Sequence, residues 1–152
     1  KYPDREMGQT YPLNHLLDAA IYVSMIHGNE GSDDDRIIAL LHDSIDDGVL
    51  TFEYIEKEFA AGIADCVKQL SGPQKSIQWI LTLSEQAQRV TFASKMSNIR
   101  SVALKKPDKW TDEQQKQYIV FCRQLLIVLQ EKFKIRQDIF DEMLKNTEQF
   151  TV

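Results

Sequence analysis

Apolar positions recur at three- and four-residue intervals along almost the whole chain. No stretch sustains the period of two that a half-buried strand requires, so the pattern predicts an all-α protein. Leu13, Leu16, Leu17, Ala20, Ile21, Ser24 and Met25 mark one broad face of a helix over about 13–26, which Gly28 and Gly31 end. Ser32 to Asp35 read as the cap and acidic first turn of the next helix, which runs through Ile37-Ile38-Ala39-Leu40-Leu41 into His42 and Asp43. Because this stretch is apolar on most sides, it is expected at the centre of the fold. Asp46 to Leu50 form a turn helped by Gly48. Thr51 caps a helix bearing Phe52, Tyr54, Ile55 and Phe59, and Gly62 marks a joint before one bearing Ile63, Cys66, Val67 and Leu70. Ser71-Gly72-Pro73 is a break. Helices follow at about 77–83 and 89–104. Thr111 and Gln114 have the spacing of a capping box and open a long helix to about 130. A last amphipathic helix, about 134–147, carries Ile135, Ile139, Phe140 and Leu144. Trp79, Phe92, Phe121 and Phe133 are expected in the core, and Trp110 as a staple residue before the Thr111 cap.

The 152 residues amount to one domain, 1–152, with no linker or repeat. At that size folding hides roughly 70% of the surface of the unfolded chain, enough for a core without staples. Charged residues at 27% and apolar ones at 43% place the chain among globular proteins rather than disordered ones. The longest apolar runs, such as Leu125 to Leu129, fall far short of the ~20 residues of a membrane span. No secretory signal pattern is visible. Cys66 and Cys122 sit inside apolar patterns, as buried free thiols of a reducing compartment do, and a cytoplasmic location is expected. The net charge of −5, with no basic run, argues against a general nucleic-acid binder.

Candidate chemistry concentrates at His42-Asp43, where two good metal ligands end an apolar helical stretch. A carboxylate there is costly unless partnered, and a divalent cation is one partner that also accepts an imidazole lone pair. A helix that simply ends, with Asp43 in water and His42 in a groove, fits the dipeptide as well. Asp46 and Asp47 follow. If the helix continues, His42 shares a face with Asp46 and Asp43 with Asp47, a crowding that a cation or a bound proton relieves. One of the two acids then holds or deprotonates a water; a solvated acidic turn is the alternative. His15, after Asn14, by itself reads as a satisfied helical histidine rather than a ligand, and His27 carries no assigned role. Lys95, Arg100, Lys105, Lys106 and Lys109 gather positive charge that either attracts a polyphosphate or forms a solvated helix face.

Taken together these residues resemble the HD-domain metal-dependent phosphohydrolases. The closest branch is the alarmone hydrolases: the hydrolase domain of Rel/SpoT enzymes and the small stand-alone enzymes like it. Thr10-Tyr11-Pro12-Leu13-Asn14-His15 is similar to that branch's threonine-proline-tyrosine-isoleucine-asparagine-histidine segment, with Tyr11 and Pro12 exchanged. Ala39-Leu40-Leu41-His42-Asp43 resembles its signature, and Asp46-Asp47 its Glu-Asp pair. Ala93-Ser94-Lys95-Met96-Ser97-Asn98-Ile99-Arg100 resembles its alanine-aspartate-lysine-leucine-x-asparagine-leucine-arginine segment. The likeness spans about residues 9–130. It implies a single-domain HD-type helical bundle. His15, His42 and Asp43 are then metal ligands, with manganese the usual ion. Asp46 and Asp47 position or activate water, and Asn98 shapes the nucleotide pocket. The implied reaction is removal of the 3′-pyrophosphate from a guanosine polyphosphate.

Two departures qualify the resemblance. Ser94 stands where the family has its fourth ligand, an aspartate; a neutral hydroxyl binds a divalent ion far less well, and reduced activity is expected. Upstream of His15 the family's additional helix and basic segment have no counterpart beyond Lys1 and Arg5, of which Arg5 is the candidate to reach a phosphate, beside Lys95. The alternatives to the alarmone hydrolase are an HD hydrolase of another nucleotide, a catalytically silent nucleotide binder, and a helical interaction module.

Overall fold

The computed structural model describes residues 12–26 and 32–150. Among these residues there are eight α-helices and no strand: α1 (Pro12–Ile26), α2 (Asp33–Leu41), α3 (Phe52–Glu58), α4 (Ala61–Leu70), α5 (Ile77–Ile80), α6 (Glu85–Leu104), α7 (Asp112–Phe133) and α8 (Gln137–Leu144), closed by a 3-10 turn at Glu148–Phe150. None of them is long and apolar enough to cross a membrane. Local capping explains four of the starts. Thr51, Ser76 and Ser84 each accept a hydrogen bond from the backbone N–H three residues on, and Thr111 with Gln114 forms the expected reciprocal box. Ser32 has extended backbone but no hydroxyl bond to the helix it precedes. The joint between α3 and α4 falls at Phe59–Ala60, and Gly62 lies within the first turn of α4. The helix expected over 77–83 stops at Ile80, and α6 starts at Glu85 because Ser84 supplies its cap. Residues 27–31, with His27, Gly28 and Gly31, lie outside the described residues.

The central helix is α6, not α2 as its apolar run suggested. α6 packs against α1, α2, α4, α7 and α8, whereas α2 lies to one side against α1, α4 and α6. Val90, Phe92, Ala93, Met96, Ile99 and Val102 of α6 are fully buried, but so are the polar Gln88 and Ser97, with Thr91 and Ser94 nearly so. This mixture lowers the apolar signal of the most enclosed helix. Gln88 is satisfied inside: its amide donates to the carbonyls of Leu81 and Leu83 at 3.2 and 2.8 Å, and its Oε1 accepts from Lys132 at 2.8 Å. On α1 the buried face is His15, Leu16, Ala19, Tyr22 and Val23, while Leu13, Leu17, Ile21 and Met25 are exposed. The helix is apolar nearly all round, so periodicity alone placed its inner face incorrectly. Phe92 is in the core, and Phe121 and Phe133 pack against it, but Trp79 is exposed. Trp110 packs edge-on against Tyr118, ring centroids 5.3 Å apart, rather than stapling the first turn of α7.

One buried ion pair fixes α2 against α6. The Asp35 carboxylate, read from sequence as part of an acidic first turn, is fully buried and accepts from Arg89 Nε at 2.7 Å and Nη2 at 3.4 Å. Removing Arg89 takes the counter-charge from a buried carboxylate, which costs far more than the pair contributes. We predict that Arg89→Ala lowers the unfolding free energy by about 3 kcal/mol, read as a shifted urea midpoint at unchanged slope. A loss under about 1 kcal/mol would show that Asp35 is not held by this arginine.

Candidate functional site

His15 reaches the site from the buried face of α1, and His42 and Asp43 from the end of α2. α2 stops at Leu41, and residues 42–48 form successive tight turns, with Ser44 N–H bonding to Leu41 O and Asp47 N–H to Asp43 O. His42 caps the helix while still in helical conformation, so its ring folds back under the last turn. There Nδ1 lies 2.6 Å from Ala39 O. A carbonyl only accepts, so Nδ1 carries the proton and Nε2 is left with its lone pair. That Nε2 lies 3.3 Å from His15 Nε2 and 3.0 Å from Asp43 Oδ2, and His15 Nε2 is 3.5 Å from the same oxygen. His15 is oriented in turn by Ser97 Oγ of α6, 3.0 Å from its Nδ1. One ligand atom from each of the three residues falls within 4.8 Å of the others. Two imidazole nitrogens and a carboxylate oxygen of this kind form a donor set for a borderline divalent ion, with each histidine held by a hydrogen bond behind it. The residues present therefore fit a metal.

The trio opens onto a cleft of about 280 Å³. Of the residues expected from sequence, His42, Asp43, Asp46, Ser94, Lys95 and Asn98 line it, and His15 backs it through the shared nitrogen contact. Asp47 does not line it: the helix does not continue beyond Leu41, so the face-sharing that paired it with Asp43 is only partly realised. Arg5 lies outside the described residues. Arg100 donates to Tyr22 Oη, Lys105 pairs with Asp108 and Lys106 with Asp112, so of the described basic cluster Lys95 is the member at the cleft. Ser94 is buried at the cleft wall and brings no charge to the metal side. Sequence reasoning missed Thr91, Lys75 and Tyr118. Thr91 shares the helical face of Ser94 and Asn98, a spacing readable beforehand, whereas nothing in the local sequence of Lys75 or Tyr118 signals a site.

Tyr118 of α7 stands behind Lys95, whose Nζ lies 3.5 Å from the phenol oxygen and 5.5 Å from the ring centroid. Burial holds the Tyr118 phenol well above its ordinary value, Cys122 and the Asp43 carboxylate add to the rise, and a hydrogen bond with Asn98 opposes it. Burial likewise pushes the Cys122 thiol up to about 11, against the pull of Lys95. Cys66 and Cys122 are both buried and unbridged.

No family model matches the chain. Among curated relatives, guanosine-3′,5′-bis(diphosphate) 3′-pyrophosphohydrolase MESH1 of Drosophila melanogaster is 25% identical over 129 residues, covering 78% of this chain and 70% of that protein. The Danio rerio protein of the same name is 27% identical over 124 residues, covering 75% and 68%. A solved structure described as a metazoan ortholog of SpoT that hydrolyses ppGpp superposes with a TM-score of 0.76 at 22% identity, over 92% of this chain and 83% of that one. The chain thus has the all-α HD-type fold, and the resemblance to the small alarmone hydrolases holds over three quarters of its length.

Two outcomes follow from the geometry. Calorimetric titration with Mn²⁺ is expected to give one site per chain, and His42→Ala to weaken it by about 100-fold or more, since an inner ligand matters at least as much as the partner behind it. Unchanged affinity in that variant would disprove the three-residue site. The second outcome concerns pH. The unfolded Cys122 thiol releases its proton near its ordinary 9.0 and the folded one near 11, so between these values the unfolded state holds fewer protons. Stability is therefore expected to be unaffected by this thiol below pH 9.0 and to fall as pH rises from there towards about 11, with Tyr118 acting in the same direction. Urea midpoints across this range check it, and a flat profile would contradict the burial of both groups.

Proposed function

We propose that this chain is a divalent-metal-dependent HD-type hydrolase that removes the 3′-pyrophosphate from guanosine 3′,5′-bis(diphosphate) or a close analogue. The observation that carries this reading is the convergence of His15 Nε2, His42 Nε2 and Asp43 Oδ2 at the edge of a cleft that also presents Lys75, Lys95 and Asn98. MESH1 and the structurally similar SpoT ortholog are described as acting on the same nucleotide. His15, His42 and Asp43 hold the ion, with Ser97 and Ala39 O fixing the two rings. When bound, the ion neutralises phosphoryl charge and acidifies a water. Manganese is the ion we assign, because it is the usual ion of the family that the sequence resembles; two imidazoles and a carboxylate hold a divalent transition metal with positions open for water and phosphoryl oxygens. Lys95 and Lys75 offset the charge of a polyphosphate, and Asn98, tied to Tyr118, offers an amide to the base or sugar. Cys66 and Cys122 as buried free thiols fit a cytoplasmic protein.

Ser94 favours a second reading, a nucleotide binder with little turnover, because the cleft supplies one carboxylate fewer than the resemblance implies. One experiment separates them. Pyrophosphate release from guanosine 3′,5′-bis(diphosphate) is measured with and without Mn²⁺ in the wild type, His42→Ala and Ser94→Asp. The hydrolase reading expects Mn²⁺-dependent release, lost in His42→Ala, and about 10–100-fold tighter Mn²⁺ binding with faster turnover in Ser94→Asp. Nucleotide-induced thermal stabilisation without release in the wild type would overturn it in favour of the binder.

A further inference from the structure

Besides the α6 wall, the cleft has two walls that are far apart in sequence. One belongs to the turn after α2, with His42, Asp43 and Asp46; the other is the end of α4 and the segment joining it to α5, which contribute Gln69, Gly72, Gln74 and Lys75. The second wall is bound mainly to its own neighbourhood. Ser71 Oγ donates to Val67 O at 2.9 Å, Lys75 Nζ donates to Ser71 O at 2.8 Å, and Gln69 Oε1 accepts from Ser84 N–H at 2.9 Å. Asp46 reaches across. Its Oδ1 and Oδ2 both accept from the Gly72 N–H, at 3.0 and 3.1 Å, over 26 residues of sequence. Gly72 has φ +94, a conformation that L side chains rarely adopt and that turns its amide towards the carboxylate.

Resting on the reading of this cleft as the hydrolase site, we propose that Asp46 is a positioning residue: its carboxylate latches the 69–75 wall, with Lys75, to the turn that carries the metal ligands. Both of its oxygens are directed at a backbone amide, which fixes the width of the cleft. This placement of Lys75 is separate from the part the carboxylate takes in positioning or activating water.

The two roles separate cleanly by substitution. Asn keeps an oxygen acceptor for the Gly72 amide but is no base, whereas Ala removes the acceptor. Two readouts are taken on Asp46→Asn, Asp46→Ala and the wild type. The first is the rate of tryptic cleavage at Lys75–Ser76, together with hydrogen exchange of the Gly72 amide, in the absence of nucleotide. The latch predicts that Asp46→Ala raises both by about fivefold or more and that Asp46→Asn leaves them within about twofold. The second is Mn²⁺-dependent pyrophosphate release. Here the latch is read in KM, whatever either variant does to kcat: Asp46→Ala is expected to raise KM by about fivefold or more and Asp46→Asn to leave it within about twofold. Cleavage and exchange that stay unchanged in Asp46→Ala would overturn the latch. If no variant releases pyrophosphate, the hydrolase reading fails, while the cleavage and exchange rates still decide whether Asp46 holds the wall.

Discussion

Much of this molecule depends on bringing two imidazole lone pairs and a carboxylate oxygen into one small volume. Left to themselves such groups disfavour one another, and their approach to within 4.8 Å has to be imposed by the surrounding helices. α1 supplies one ring and the end of α2 supplies the other two groups, so the site exists only because these helices pack side by side over α6. Each ring is also fixed from behind, His42 by Ala39 O and His15 by Ser97. These contacts leave the two Nε2 atoms pointing into the shared volume, at the cost of two buried polar side chains in the heart of the bundle.

The placement of α6 follows from the same requirement. It is the most enclosed helix, yet it carries Gln88, Thr91, Ser94 and Ser97 on buried surface. Ser97 serves His15 and Ser94 forms part of the cleft wall, so polarity inside this helix reflects the chemistry it adjoins. The Asp35–Arg89 pair has a related part in the architecture. It crosses from the first turn of α2 to α6, and thereby sets the position from which the other end of α2 delivers His42 and Asp43. An ion pair in such a setting adds little net stability over apolar residues, but its directional geometry fixes how two helices meet.

Charge at the cleft is asymmetric. Asp43 and Asp46 stand on the wall after α2, while Lys95 on α6 and Lys75 on the opposite segment face them. A polyphosphate placed between these walls meets cations on two sides and the metal ligands on the third. Ser94 leaves this balance one negative charge short of the pattern that the sequence resembles.

The amino-acid sequence by itself determined the helical class, the capped starts at Thr51 and Thr111 and the His42-Asp43 pair, because caps, breaks and neighbouring residues are local signals, whereas His15 joined that pair only through the resemblance. It did not determine which helix is central or which face of α1 turns inward. α1 is apolar all round, and α6 hides polar residues, so hydrophobic periodicity pointed to α2 and to Leu13, Leu17 and Ile21 instead. Asp35, Lys75, Tyr118 and the Asp46–Gly72 bond were also beyond its reach. Their partners lie 23 to 54 residues away or across a cleft, and only packing brings them together. A side chain's intrinsic preference is written in its own neighbourhood, whereas the worth of a buried charge or a long-range hydrogen bond depends on what the finished fold places opposite it.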